Sequence, residues 1–278
     1  MADAGTVGNA VDIAFERQGA GDPLLLVHGT GLSRQTWDPV VPLLAGGREL
    51  LLVDLPGHGA SPRPPAGTES TPVEYARALA GLLDELELAT VHVAGNSVGG
   101  WAALELAKLG RARSVVALAP AGLWPKSDPL SAWGQLWMTF LVTRLFRPVV
   151  PFALRNSVGR MLLMRGPIGD ARRVPPEGAI RLALSFQEGA GVRDHLLAMR
   201  RIHGFRGGQS IEVPVTVVWG EKERIIPKSA RRRDHLPPHT REIDLPGCGH
   251  LMQWDDPELV ARTILEGTSA TVGAGDAL

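Results

Sequence analysis

The chain is poor in cysteine, with Cys248 the single one in 278 residues. One thiol forms no internal disulfide, and no Cys/His cluster has zinc-ligand spacing, so neither kind of staple is expected to hold the fold. Excess charge is missing too: 29 Lys+Arg stand against 29 Asp+Glu. A net charge of zero offers no electrostatic footprint for a phosphate backbone, so nucleic acid is not an expected partner. No window approaches the roughly 18 consecutive apolar residues of a membrane span. The best candidate, Leu136 to Leu154, is broken by Arg144, Arg147, Pro148 and Pro151. The first residues lack a positive n-region and an apolar h-region, so no signal peptide is read and a cytoplasmic location is expected.

What remains is the mixture of an ordinary globular protein, 44% hydrophobic and 21% charged. Val11 to Phe15 alternates and reads as an edge strand. Five nearly continuous apolar runs follow, Leu24–His28, Glu49–Asp54, Val91–Gly95, Val115–Ala119 and Val215–Trp219. Runs apolar on both faces suit parallel strands covered by helices. Arg241 to Leu245 reads as the last strand. Between them lie helix signals. Thr71-Pro-Val-Glu74 is a capping box with Pro at the first helical position. Ser97 to Leu109 reads as a second helix, and Asp256-Pro-Glu258 opens a third. Such alternation predicts an α/β fold with a parallel sheet.

The rhythm breaks over residues 123–210, which hold Trp124, Trp133 and Trp137 and have helical spacing without convincing strands. We read this segment as a helical cap inserted into a core formed by residues 1–122 and 211–278. The tail from Gly267 is small and polar and is expected to fray.

Gly95-Asn-Ser-Val-Gly99 stands directly after one strand and before a helix. A nucleophile on a strand-to-helix bend needs small flanking residues, and the following helix turns its free amides toward developing negative charge. Ser97 is therefore the candidate nucleophile. A serine hydroxyl needs a histidine to take its proton and an acid to fix that histidine. His250, in the Gly-rich loop Gly247-Cys-Gly-His250, is the candidate base. Glu223, in the loop after Val215–Trp219, is the candidate acid, with Glu221 as the alternative. The loop His28-Gly-Thr-Gly31 places the Thr30 amide opposite that of Val98 as an oxyanion hole, while His28 itself reads as structural. Gly29, Asn96 and Leu251 flank these groups and are expected beside substrate, with Trp124, Trp133, Trp137 and Phe140 as pocket walls. His195, Arg200 and Arg201 read as surface residues.

The motifs His28-Gly29, Asp54-Leu-Pro-Gly-His-Gly-Ala-Ser61, Gly95-Asn-Ser-Val-Gly99, Trp219-Gly220 with Glu223, and Gly249-His250 resemble those of the α/β-hydrolase fold superfamily. The resemblance spans about Val11 to Glu266. It implies a mostly parallel eight-stranded sheet with a helical lid, and a Ser-His-acid triad that usually carries Asp where this chain has Glu223. It also implies that Ser97 separates the chain from haloalkane dehalogenases and epoxide hydrolases, which use Asp at the elbow. Epoxide opening would want lid tyrosines, and the single tyrosine is Tyr75. Asn96 and the run Cys248 to Trp254 are similar to meta-cleavage C–C hydrolases, although Leu251 stands where those enzymes usually have Trp.

The expected activity is hydrolysis of an ester, lactone or thioester of a largely apolar small molecule. The alternatives are C–C bond hydrolysis, or a cyclase or binding protein retaining the triad. No metal or organic cofactor is implied, and the oligomeric state is left open.

Overall fold

The computed structural model describes residues 12–124 and 130–269. Seven strands form one sheet: β1 (Phe15–Gly19), β2 (Asp22–Val27), β3 (Arg48–Val53), β4 (Val91–Asn96), β5 (Ala112–Leu118), β6 (Val215–Gly220) and β7 (Arg241–Leu245). Their spatial order is β1-β3-β2-β4-β5-β6-β7. Only β1 is antiparallel; every other pairing is parallel. The sheet thus has seven strands among the described residues rather than the expected eight. The edge strand begins at Phe15, not in the alternating run before it, and Val11 lies outside the described residues.

The apolar runs occupy the interior strands because both faces of the sheet are covered. Leu24 to Val27 on β2, Val93 and Ala94 on β4, and Val115 to Leu118 on β5 have no solvent exposure. Helices α1 (Val41–Leu44), α2 (Pro72–Glu85), α3 (Val98–Lys108) and, past the insertion, α9 (Pro257–Ser269) flank the sheet. Local chemistry starts them where expected. Thr71 Oγ1 accepts from the Glu74 amide, and Asp256 Oδ1 accepts from the Leu259 amide. The end of α9 does not fray at Gly267: that residue is packed against Val116, where a Cβ would come within 2.6 Å of a methyl group. Residues 270–278 of the tail fall outside the described residues.

Between β5 and β6 the chain forms α4 (Leu130–Leu145), α5 (Val150–Arg155), α6 (Ser157–Leu163), α7 (Pro176–Glu188) and α8 (Val192–Met199), with no strand among the described residues. These helices share a second apolar cluster that includes Leu154, Ile168, Leu182, Phe186 and Leu196, joined by Leu32, Leu251 and Trp254 from the sheet side. Close backbone approach seats the insertion. A Cβ on Gly57 would stand 2.9 Å from the Gly191 Cα, and the Gly191 amide donates to the Gly57 carbonyl at 2.7 Å. This explains the glycine in the Asp54–Ser61 loop.

The same junction buries His195 completely, which corrects its reading as a surface residue. Its Nδ1 lies 2.8 Å from the Ser70 carbonyl and its Nε2 lies 2.9 Å from Thr30 Oγ1. A carbonyl only accepts, so Nδ1 carries the proton and Nε2 accepts from the Thr30 hydroxyl. The ring packs edge-on against His58, which in turn faces His28. Burial holds all three imidazoles below the usual histidine range, His195 at about 4.

Unfolding releases these rings to an ordinary pKa near 6.5. As pH falls from about 6.5 toward 4, the unfolded chain takes up protons that the native one refuses, so the stability that neutral His195 contributes is complete above that window and lost through it. Each such histidine adds about 1.4 kcal/mol per pH unit to the slope inside the window. Denaturant titrations of His195→Gln should show a slope smaller by about that amount, and an unchanged slope would refute the assignment.

Candidate active site

The segments that carry Thr30, Ser97, Glu223 and His250 leave the carboxyl ends of the parallel strands β2, β4, β6 and β7, where α/β sheets place their ligands. At the centre is the bend after β4. Ser97 has φ +57° and ψ −117°, a conformation an L side chain rarely adopts. Crowding enforces it. A Cβ on Gly95 would sit 2.2 Å from the Gly99 carbonyl oxygen, and one on Gly99 would sit 2.2 Å from that of Val27. Helix α3 can therefore start against β2 and β4 only with glycine at both places. The bend lifts the Ser97 side chain out of the sheet, and Val98 becomes the first residue of α3, with an amide that has no intrahelical acceptor.

The neighbouring loop after β2 carries Thr30. Gly31 there has φ +70°, and its missing Cβ leaves room for the Phe186 ring of α7, which a methyl group would meet at 2.5 Å. The Thr30 hydroxyl is already committed to His195, so the backbone amide is its remaining donor. His28 is fully buried with both ring nitrogens taken by backbone: Nε2 accepts from the Leu55 amide and Nδ1 donates to the Gly29 carbonyl.

His250 and Glu223 are brought together. The imidazole Nδ1 lies 2.7 Å from Glu223 Oε2, and the carboxylate side chain has no solvent exposure. The other oxygen, Oε1, accepts from the amides of Ile225 and Ile226 at 2.6 and 3.0 Å. Burial alone would raise the carboxyl pKa, but the His250 charge, its hydrogen bond and the two amides together bring it below the usual range. A carboxylate can only accept, so Nδ1 donates to it and Nε2 is the ring nitrogen left free to face another partner. Glu221 is elsewhere: its Oε2 accepts from the Gly247 amide.

Two residues fasten the histidine loop. Asn96 Nδ2 donates to the carbonyls of Leu118 and His250, tying the end of β4 to that loop, while its Oδ1 is buried without a partner among the described residues. Asp255 accepts from the Gly249 amide and from those of Gly169 and Asp170 in the insertion. Sequence reasoning missed Asp255; a carboxylate five residues beyond a loop histidine was the available signal. Cys248 is buried, and burial pushes its thiol up to about 12.

Ser97 and His250 border one cavity of about 320 Å³, together with Gly29, Thr30, Asn96 and Leu251. They are not hydrogen-bonded to each other in this state. The rest of the wall is mainly aliphatic, from Leu136, Val142, Leu154, Met164, Leu182 and Ile225, with no Lys or Arg among the described lining residues. Trp124 and Trp133 border a narrower recess of about 20 Å³ beside Ser97 and Val98. Trp137 and Phe140, expected as pocket walls, line neither space. Trp137 stacks on Trp133 at 5.5 Å, and Trp137 and Phe140 pack against the apolar cluster of the insertion, where burying their area outweighs facing a cavity. Among the described residues no group of three or more His, Cys, Asp or Glu side chains gathers as a metal site.

Known proteins are similar to this chain. A dihydrolipoyllysine-residue acetyltransferase component of the acetoin cleaving system of Pseudomonas putida is 31% identical over 259 residues, covering 90% of this chain, and the chain spans only 65% of that protein's length. Epoxide hydrolase EphH of Mycobacterium tuberculosis is 32% identical over 196 residues, 66% of this chain and 87% of that protein. The solved structure of a meta-cleavage product hydrolase from Pseudomonas fluorescens superposes with a TM-score of 0.70 at 20% identity, covering 93% of this chain and 94% of that one, a likeness of fold. The model of the alpha/beta hydrolase family matches residues 24–263, and the chain belongs to that family.

Proposed function

We infer that the protein is a serine hydrolase that cleaves an ester, lactone or thioester of a largely apolar small molecule. The observation that carries this reading is the strained Ser97 at the floor of an aliphatic cavity that it shares with a His250 already paired to a buried carboxylate. Ser97 Oγ attacks the carbonyl carbon as His250 Nε2 takes its proton. Glu223 stabilises the imidazolium and holds the ring's tautomer. The Thr30 and Val98 amides receive the oxyanion. The protonated His250 then hands its proton to the leaving group, and water, activated by the same imidazole, releases the acyl group. Catalytic hydrogen bonds are often long before substrate arrives, so the open Ser97–His250 pair suits this chemistry. Residues 123–210 serve as the cap that closes the cavity.

The lining supports this reading over the alternatives. A dienoate, the kind of acid a C–C hydrolase would open, has a carboxylate best met by a cation, and no Lys or Arg reaches the described walls. Epoxide opening through an ester intermediate wants a carboxylate where this chain has Ser97. An uncharged acyl group with several methylenes matches the surface it would meet.

Ser97→Ala should lower kcat for a p-nitrophenyl ester by about 10⁶-fold, the order seen when a serine protease loses its nucleophile, and should abolish labelling by a fluorophosphonate. Labelling that persists would refute the assignment. For the acid, Glu223→Gln should cost about 10⁴ in kcat with a small change in KM, since an amide in place of a triad acid favours the wrong tautomer. Glu223→Asp should also lose activity, because one carboxylate shortened by about 1.5 Å has to give up either the imidazole or the two amides of its own loop. A fully active Asp variant would show that the bond geometry is not needed.

A further inference from the structure

Ten of the fifteen exposed large apolar side chains among the described residues fall between Met138 and Leu163, on α4, α5, α6 and the turns joining them. Isolated exposed leucines are ordinary, but a cluster this dense on one segment marks a binding surface. Phe152 and Leu145 keep 75% and 74% of their area in solvent, and Leu162 keeps 69%. Phe146 and Val149 continue the patch across the turn from α4 to α5.

Its charge is as uneven as its hydropathy. The whole chain is balanced, yet from Leu130 to Gly169 it carries five arginines and no Asp, Glu or Lys. Arg160 is buried and spends its guanidinium on the carbonyls of Leu154 and Arg155. Arg144, Arg147, Arg155 and Arg165 are exposed, and none forms an ion pair with a carboxylate among the described residues. Some exposed arginines elsewhere, Arg17, Arg77 and Arg172 among them, do sit on acidic partners.

The patch is continuous with the catalytic cavity. Met138, Leu162 and Leu163 are exposed and also line the cavity, so they form its rim on the α4 and α6 sides.

We propose that this face of α4–α6 docks on an anionic lipid surface, which delivers the acyl substrate to Ser97. Apolar side chains embedded among cations that reach outward are what such a surface binds. A second copy of this chain fits less well, because a twofold contact would set the unpaired arginines of one patch against those of the other. The identity of the substrate as a lipid ester rests on the serine-hydrolase reading; the docking does not.

The full chain carrying Ser97→Ala is mixed with vesicles of phosphatidylcholine alone, or of phosphatidylcholine with phosphatidylglycerol, and sedimented at low and high salt. Binding should require phosphatidylglycerol and weaken with salt. Leu145→Asp with Phe152→Asp, and separately Arg144→Ala with Arg147→Ala and Arg155→Ala, should each weaken it by more than about tenfold. In the wild-type background both sets should leave hydrolysis of a soluble short-chain ester unchanged, which shows that the variants are folded. No sedimentation, or sedimentation indifferent to phosphatidylglycerol, overturns the proposal. So does a dimer in sedimentation velocity that Phe152→Asp dissolves while vesicles remain unbound. Vesicle binding by a wild-type protein that hydrolyses no ester keeps the docking surface and removes the esterase reading.

Discussion

The constraint on which the site depends is the closeness of α3 to β2 and β4. With two backbones within a Cβ of each other at Gly95 and Gly99, the chain has no ordinary conformation in which to turn from strand to helix. It turns through Ser97 at φ +57°. The strain is held by what surrounds it: the Ser97 amide donates to the Leu118 carbonyl, and its own carbonyl accepts from the amides of Trp101 and Ala121. The same tight start fixes the direction of α3, so the Val98 amide and the dipole of the helix point at the space above the serine. One packing fact therefore yields the placement of the hydroxyl and half of its electrostatic environment.

The remaining groups come from loops, and loops have to be fastened. Each fastening uses a buried or half-buried polar group with at least one backbone partner. Asn96 grips the His250 carbonyl, Asp255 binds the Gly249 amide to the insertion, and Glu223 uses one oxygen for its own turn and the other for the imidazole. On the opposite side, His195 reaches from α8 to the Thr30 hydroxyl, so the helical insertion steadies the loop that carries the Thr30 amide. Losing any one partner would strand a buried polar atom, which costs about 1–3 kcal/mol and falls directly on the site's geometry.

The parallel sheet and the elbow were legible in the sequence because each is a local pattern: apolar runs of strand length, and glycines two residues either side of a serine. The pair His250 and Glu223 was legible through chain order alone. What escaped depended on long-range contact. Phe15–Gly19 is exposed along its whole length and pairs only with β3, so no periodicity marks it as a strand. His195 sits between Asp194 and Leu196 on a stretch that looks solvated, and its partners are Ser70 and Thr30, the latter 165 residues away. Trp137 and Phe140 are aromatic wherever they point; only the packing of α4 decides between cavity and cluster.

The site divides its work between two kinds of surface. Polar atoms are concentrated on the sheet side, where the strands are rigid and backbone partners lie close by. The insertion contributes mostly hydrocarbon to the cavity, from α4, α5, α6 and α7. Hydrocarbon walls strengthen the electrostatics below them, because an oxyanion shielded from water feels two amide donors more strongly than one in solvent. They also place few orientational demands on the acyl part, since dispersion contacts tolerate sliding in a way that hydrogen bonds do not. Selectivity in such an arrangement comes from the length and branching a substrate can fit between α4 and α6. Under the proposed reaction, by contrast, the carbonyl would be held at a position set by the backbone of two loops, the same for every substrate the walls admit.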